Sequence, residues 1–413
     1  VPTELTPALL AELVAAAREV HAPGCAGHSS LFAGWIAERA DCIADTRFSG
    51  VHIPGVNRHD WSAVGTGARF ANIFLSADFR AGYAAGRIEY RPWTYTRTWR
   101  WLRDEARYDL VLLQVAPPDA RGMCSLGVAC DFAPALLERG FPMVAHVNPA
   151  MPRSDGPAVP WSALAAAVEA ELPLLEVADA APDASLAALA DVIAARIADG
   201  STLQFGLGKL QSALLRRLRG HRGLRIHAGM VSDGLLDLLE AGAIAPRCAV
   251  HAGVALGSAR LYAAAADAVH FRPVGWTHDA RTLAGLERFV AINSALSVDL
   301  LGQVDGETVD GRQISGVGGL PDFVRGAALA AGGRAIIALP ARRADGASRI
   351  VPMLPTGPVS LARHDADEVA TEYGVAVLRD ADVATRAARL IAIAAPEHRE
   401  SLARAWAELA RRL

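Results

Sequence analysis

Short apolar runs alternate with stretches of helical spacing along most of this chain, and that alternation restricts its fold more than any other feature. Asp109–Val115 (DLVLLQV) is a compact apolar run stopped by Pro117-Pro118, and Pro142–Val147 (PMVAHV) is a second. Between them, Asp131–Gly140 has helical spacing and a glycine stop. A strand, helix, strand succession of this kind predicts a mainly parallel sheet covered by helices on both faces.

The alternation pauses at Asp179–Asp183 (DAAPD), between strand-like Leu174–Val177 and a helical Ser185–Ala198. It then restarts. Strands are expected at Thr202–Phe205, Leu224–His227, Ala249–Val254 and Ala335–Leu339. Helices are expected at Leu210–Leu218, Leu235–Ala241, Ala259–Ala266, Thr385–Ala394 and Glu397–Leu413. The 413 residues exceed one domain of roughly 100–200, so the pause divides the chain into α/β domains at 1–182 and 183–413. Hydrophobic residues at 52% and charged residues at 21% supply a core for each.

Several function classes are excluded by the same composition. Net charge is −3, with no clustered basic face of the kind nucleic acid requires. The cations are nearly all arginine, and Lys209 is the sole lysine. No run of ~18 uncharged apolar residues offers a membrane span. Five scattered cysteines without a CxxC pair argue against a disulfide framework or a zinc site. The first residues read as an amphipathic helix rather than a secretory signal, so the expected compartment is the cytoplasm.

Three glycine-rich turns are candidates for chemistry. Gly206-Leu207-Gly208 follows a strand and precedes a helix, where glycine admits close backbone approach and free N–H groups face an anion. It lacks the third glycine of a dinucleotide fingerprint, and a plain strand-to-helix turn reads equally well. Gly316-Val317-Gly318-Gly319, beside Arg312-Gln313, concentrates N–H groups suited to a developing oxyanion. Ordinary loop turns are its alternative. Arg225–Gly234 (RIHAGMVSDG) reads as a strand ending at His227, with Ser232 and Asp233 capping the next helix. His227 is either a core histidine or a catalytic one. Cys124 invites a nucleophile reading, but small-residue packing is favoured, because no His or Lys is near it in sequence to lower its pKa. Trp93–Trp101 is either a surface that stacks on a base or, the commoner case, a domain-interface or core edge. His28 and the segment His52–Asn57 are either an acyl pocket lining or surface loop.

Taken together, these segments resemble the acetyl-CoA hydrolase/transferase family, especially 4-hydroxybutyrate and butyrate:acetate CoA-transferases. The likeness lies in DLVLLQVAPPDARGMCSLGVACDF and HVNPAMPRSDG, then in TLQFGLGKL, IHAGMVSDGLLDLLEAGAI and GRQISGVGGLPDFVRGAAL, and in SRIVPML and VATEYGVAVLR. It runs in order from about residue 68 to the C-terminus. The resemblance implies two similar open α/β domains of the CoA-transferase (NagB/RpiA-like) type with an active site between them. It implies acyl-CoA as substrate, a carboxylate acceptor, a homodimer or homotetramer, and no tightly bound cofactor or metal. Gly206, Gly208, Gln313, Gly316, Gly318 and Gly319 would meet CoA or the oxyanion.

One departure changes the expected chemistry. The family has a glutamate after its I-H-x, and this glutamate attacks the thioester to form a covalent relay. Here the segment reads Ile226-His227-Ala228-Gly229-Met230, so Gly229 stands at that position. Glycine forms no anhydride. The reading this favours is hydrolysis of a thioester, or of a neighbouring C–C bond, by water held in the vacated space. His227, Ser232 and Asp233 would orient it, with His227 as base. The alternatives are transfer through another carboxylate such as Asp233, a transferase altered at residue 229, and a non-catalytic acyl-CoA binder.

Overall fold

The computed structural model describes residues 1–178, 183–355 and 357–412. The chain folds into two units. The first comprises Val1–Ala178, His251–Thr277 and Ile314–Gly318; the second comprises Asp179–Val250, His278–Gln313 and Gly319–Leu413.

The first unit is built on a sheet of eight strands. They are β1 (Thr3–Glu4), β2 (Glu19–His21), β3 (Arg47–Ser49), β4 (Arg69–Asn72), β5 (Ile88–Tyr90), β6 (Leu110–Val115), β7 (Met143–Val147) and β8 (Ala166–Glu169). Their spatial order is β1-β8-β7-β6-β2-β3-β4-β5, and every pairing is parallel. The alternation of apolar runs anticipated this. Every residue of β6 and of β7 is buried, as a parallel strand covered on both faces requires. Phe32, Phe48, Trp61, Phe70 and Phe79 fill the core beside this sheet.

In the second unit, β9 (Thr202–Phe205), β10 (Arg225–Val231), β11 (Phe289–Ser294), β12 (Arg334–Ala338), β13 (Glu368–Thr371) and β14 (Gly374–Val377) lie in the order β10-β9-β11-β12-β13-β14. All of these pair in parallel except β13 with β14, a hairpin that runs Glu368↔Val377 to Thr371↔Gly374. Phe289, Phe323, Leu283 and Val298 belong to its core.

Three expectations from sequence need correction. The helix read at Asp131–Gly140 is confined to Pro134–Leu137. Pro134 has no N–H to extend a helix backwards, and Gly140 at φ 69° ends the turn. Leu174–Val177 forms no strand; it is fixed by single bonds, Val177 N to Gly257 O at 3.2 Å and the Tyr262 hydroxyl to Leu175 O. The strand that was to end at His227 continues to Val231, so Gly229 lies inside it. The pause at Asp179–Asp183 falls at Asp179–Pro182 outside the described residues.

Candidate active site

β10 carries the segment in which the resemblance concentrates. Successive side chains of a strand alternate between faces, so His227 and position 229 point to the same side. His227 is 1% exposed, and its ring meets Phe289 edge-on with centroids 6.3 Å apart.

Gly229 has no side chain, yet the space beside it is filled. A first side-chain carbon at 229 would sit 3.0 Å from Cε1 of His278, 3.2 Å from its Nε2 and 3.8 Å from Phe323. The expectation of an open volume meets a tight contact here: the His278 imidazole borders the place where a side chain at 229 would begin. Gly319 clears room for the same ring. A first carbon there would stand 2.6 Å from His278 Nε2 and 2.9 Å from its Cδ2, inside van der Waals contact. Phe323, one turn into the Leu320–Leu329 helix, packs its ring 4.3 Å from the imidazole. His278 is 2% exposed, and burial first, then the neighbouring His227, holds its pKa down at about 3. At neutral pH it is an uncharged imidazole.

Ser232 and Asp233 do not cap by their side chains. Asp233 already has helical angles, φ −53° and ψ −26°, at the start of Gly234–Glu240. The first helical N–H groups are met instead by backbone: Leu235 N reaches Ser232 O and Leu236 N reaches Asp233 O, each at 2.9 Å. A helical Asp233 tightens the entry, which leaves the side chain badly aimed at those donors. Ser232 Oγ is buried without a hydrogen-bond partner among the described residues.

Gly206 and Gly208 stand where β9 gives way to the Lys209–Arg217 helix, and Gly208 adopts φ 120°, a conformation natural to glycine. This turn borders a groove of about 520 Å³. Lys209, Arg342, Arg343 and Arg349 line it, against the carboxylates of Asp183 and Glu372. A helix N-terminus, exposed backbone N–H groups and an excess of cations make this groove attractive to phosphate. Arg342 pairs with Glu397 and Arg343 with Asp310, so these side chains are already oriented. Gln211 Nε2 bonds Ser294 Oγ at 3.0 Å, tying the helix to the end of β11.

The second glycine turn is divided. Gly316 and Gly318 belong to the first unit, and Gly319 to the second. A side chain at 316 would strike Ile73 O at 2.1 Å, and Gly318 takes φ 55° and accepts a bond from Tyr95 N at 3.2 Å. Gln313 belongs to the second unit, where its Nε2 donates to Glu307 Oε2 at 3.0 Å. Cys124 is buried, and burial raises its thiol pKa, against any reading as a nucleophile. In the Trp93–Trp101 run, the Arg91 guanidinium lies 4.8 Å from the Trp93 ring centroid and 4.5 Å from that of Trp101. Among the described residues no group of three or more His, Cys, Asp or Glu could hold a metal ion, and no helix is long and apolar enough to cross a membrane.

Sequence reasoning missed His278 and the arginines of the groove. His278 stands within the segment VHFRPVGWTHD, but nothing in its spacing signals that it meets Gly229.

Comparison with known proteins bears on this site. Residues 5–162 match the acetyl-CoA hydrolase/transferase N-terminal domain, and residues 257–406 match its C-terminal domain. The 4-hydroxybutyrate coenzyme A transferase of Clostridium kluyveri is 36% identical over 370 residues, 85% of each chain. The succinyl-CoA:acetate/propanoyl-CoA:succinate CoA transferase of Fasciola hepatica is 33% identical over 82% of this chain and 73% of its own. The crystal structure of RipA from Yersinia pestis superposes with a TM-score of 0.90 at 29% identity, covering 98% of this chain and 97% of that one. With both family domains matched in order and the fold shared end to end, this protein is an enzyme of the acetyl-CoA hydrolase/transferase family.

Proposed function

We propose that the protein hydrolyses an acyl-CoA thioester with water as the nucleophile, and does not relay the acyl group through a protein carboxylate. The observation that carries this reading is at position 229. Gly229 stands where the resemblance leads one to expect the family's glutamate, and the His278 ring lies 3.0 Å from where a side chain there would begin. A carboxylate relay needs an oxygen able to attack the carbonyl. A glycine beside an imidazole supplies none, whereas water beside a proton acceptor serves hydrolysis.

CoA is assigned to the second unit's groove, with its phosphates at Gly206, Gly208 and Lys209 and the arginines behind them. Gln313 and the backbone of Gly316–Gly319 are assigned to the oxyanion and the pantetheine. His227, Ser232 and Asp233 are assigned to the water and substrate side of β10. The reading keeps a homodimer or homotetramer in the cytoplasm, and a domain division at 1–182 and 183–413. Two outcomes remain as alternatives, transfer to a carboxylate acceptor and binding of acyl-CoA without turnover.

The test incubates the protein with a panel of acyl-CoAs, with and without acetate, and follows free CoA and new thioesters. CoA release at the same rate without acetate is expected. Acetyl-CoA formation that requires acetate would instead establish transfer. Tight CoA binding with no turnover would establish a binder.

A further inference from the structure

We infer that the acyl group of the substrate ends in a carboxylate, and that Arg91 binds it in a narrow pocket walled by Trp93 and Trp101; this rests on the reading above in assigning the thioester oxygen to the glycine turn at Gly316–Gly318. The pocket lies within the first unit. His21, Ser49 and Asn72 are the last residues of β2, β3 and β4, and Arg91 follows β5 directly. Four adjacent parallel strands thus bring their carboxyl ends to one pocket, the place where open α/β sheets bind ligands.

Arg91 gives the pocket its chemistry. Its side chain is only 13% exposed. Its backbone N donates to Asn72 O at 2.9 Å and its Nε to Glu89 Oε1 at 2.7 Å, while the guanidinium rests against both indoles. Neither Nη nitrogen has a hydrogen-bond partner among the described residues. The stem is fixed and the forked end is left over, which suits the two oxygens of a carboxylate. Glu89 also binds Arg47 at 3.0 Å, so it offsets only part of the Arg91 charge. A second donor stands nearby. The Ser49 and Tyr108 hydroxyls lie 2.6 Å apart, and of their two protons only one fits between them. The other is left to donate to a ligand oxygen.

The size of the pocket narrows the ligand. Its clear space is about 20 Å³, where one water needs roughly 10–15 Å³. A carboxylate fits there; a ring or a long chain does not. The pocket also adjoins the glycine turn inside the same unit. Ile73 lines it, and the Ile73 carbonyl lies so close to Gly316 that a side-chain carbon at 316 would fall 2.1 Å from its oxygen. Leu75 N donates to Ser315 O and Tyr95 N to Gly318 O, each at 3.2 Å. A short acyl group therefore reaches from a thioester at the turn to Arg91.

The experiment compares turnover of succinyl-CoA and butyryl-CoA, matched in chain length and differing in the terminal carboxylate. It uses the unaltered protein and Arg91→Met, which keeps an unbranched stem beside the indoles. CoA release and acetate-dependent exchange are both followed, so the preference is read whichever reaction runs. The inference expects kcat/KM for succinyl-CoA to exceed that for butyryl-CoA by about tenfold or more, as a charge-assisted hydrogen bond provides. Arg91→Met is expected to abolish the preference by lowering the succinyl-CoA value, with butyryl-CoA kept within about threefold. An unaltered protein without the preference, or a variant that loses both substrates equally, overturns the inference. If Arg91→Met fails to fold, Arg91→Lys replaces it; lysine keeps the charge without the fork, and a preference that falls by less than about threefold overturns the inference. Inhibition by free acetate that depends on Arg91, without a preference for succinyl-CoA, places a free acid in the pocket and overturns the assignment to the acyl group. Exchange in place of hydrolysis overturns the hydrolytic reading and leaves this inference standing. If neither thioester is turned over, that reading fails and calorimetry decides the inference: succinyl-CoA must bind about tenfold more tightly than butyryl-CoA through Arg91, and equal affinities overturn it.

Discussion

His278 lies against Gly229, its Cε1 3.0 Å from where a side chain at that position would begin. A side chain at residue 229 would press on the imidazole, which must then give by a few tenths of an ångström.

A glutamate introduced at 229 is not expected to establish transfer by itself, because its side chain must first move the His278 ring. Gly229→Glu must displace His278 from a packed site, which costs about 1–3 kcal/mol of stability. Acetate-dependent exchange is expected to remain absent in Gly229→Glu and to appear in the double variant with His278→Ala, where room for the carboxylate returns. Thermal unfolding and an acetyl-CoA exchange assay check both statements.

Gly319→Ala tests the other side of the ring. Its methyl would meet His278 Nε2 at 2.6 Å. Overpacking of this sort lowers stability by about 1–3 kcal/mol. Denaturant unfolding should register that loss, and His278→Ala should relieve most of it in the double variant.

Lys209, the sole lysine, sits at the first position of the helix that borders the basic groove. Lys209→Ala and Arg349→Ala are each expected to weaken CoA binding by about tenfold, the value of a charge-assisted hydrogen bond to phosphate. Both effects should shrink as salt rises from about 50 to 500 mM in a calorimetric titration.

Acid should destabilise the fold through its buried histidines. Burial lowers the pKa of His21 to about 4, that of His28 to about 4 with help from His59, and that of His278 to about 3. Between the unfolded value near 6.5 and these folded values, the unfolded chain binds protons that the folded one refuses. Stability is thus full above about pH 6.5 and falls as pH drops toward 4, by up to about 1.4 kcal/mol per unit for each such histidine. Urea unfolding at pH 7.5, 6 and 5 measures the slope, and His28→Gln should reduce it.

The parts of the fold legible in sequence were those governed by local pattern. Leu110–Val115 and Thr202–Phe205 are strands because short apolar runs between turns can be buried on both faces. The Gly206–Gly208 turn was readable because glycine and the following helix are adjacent in the chain. What escaped was set by distance. His278 is 49 residues from Gly229, and the groove's arginines lie more than 130 residues beyond Lys209, so no window of sequence holds both members. The sequence reads as a strand ending at His227 because Ala228 and Gly229 have weak strand preference, yet β10 runs on to Val231. Ser232 and Asp233 matched a capping pattern, yet the backbone took the bonds instead.

Intact-mass measurement of the protein during turnover tests the central claim most directly. The enzyme is mixed with a consumed acyl-CoA, quenched in acid within the steady state and weighed. Attack by water predicts only the unmodified mass while free CoA accumulates. A protein species heavier by CoA less one water, formed and lost at the rate of turnover, would contradict it.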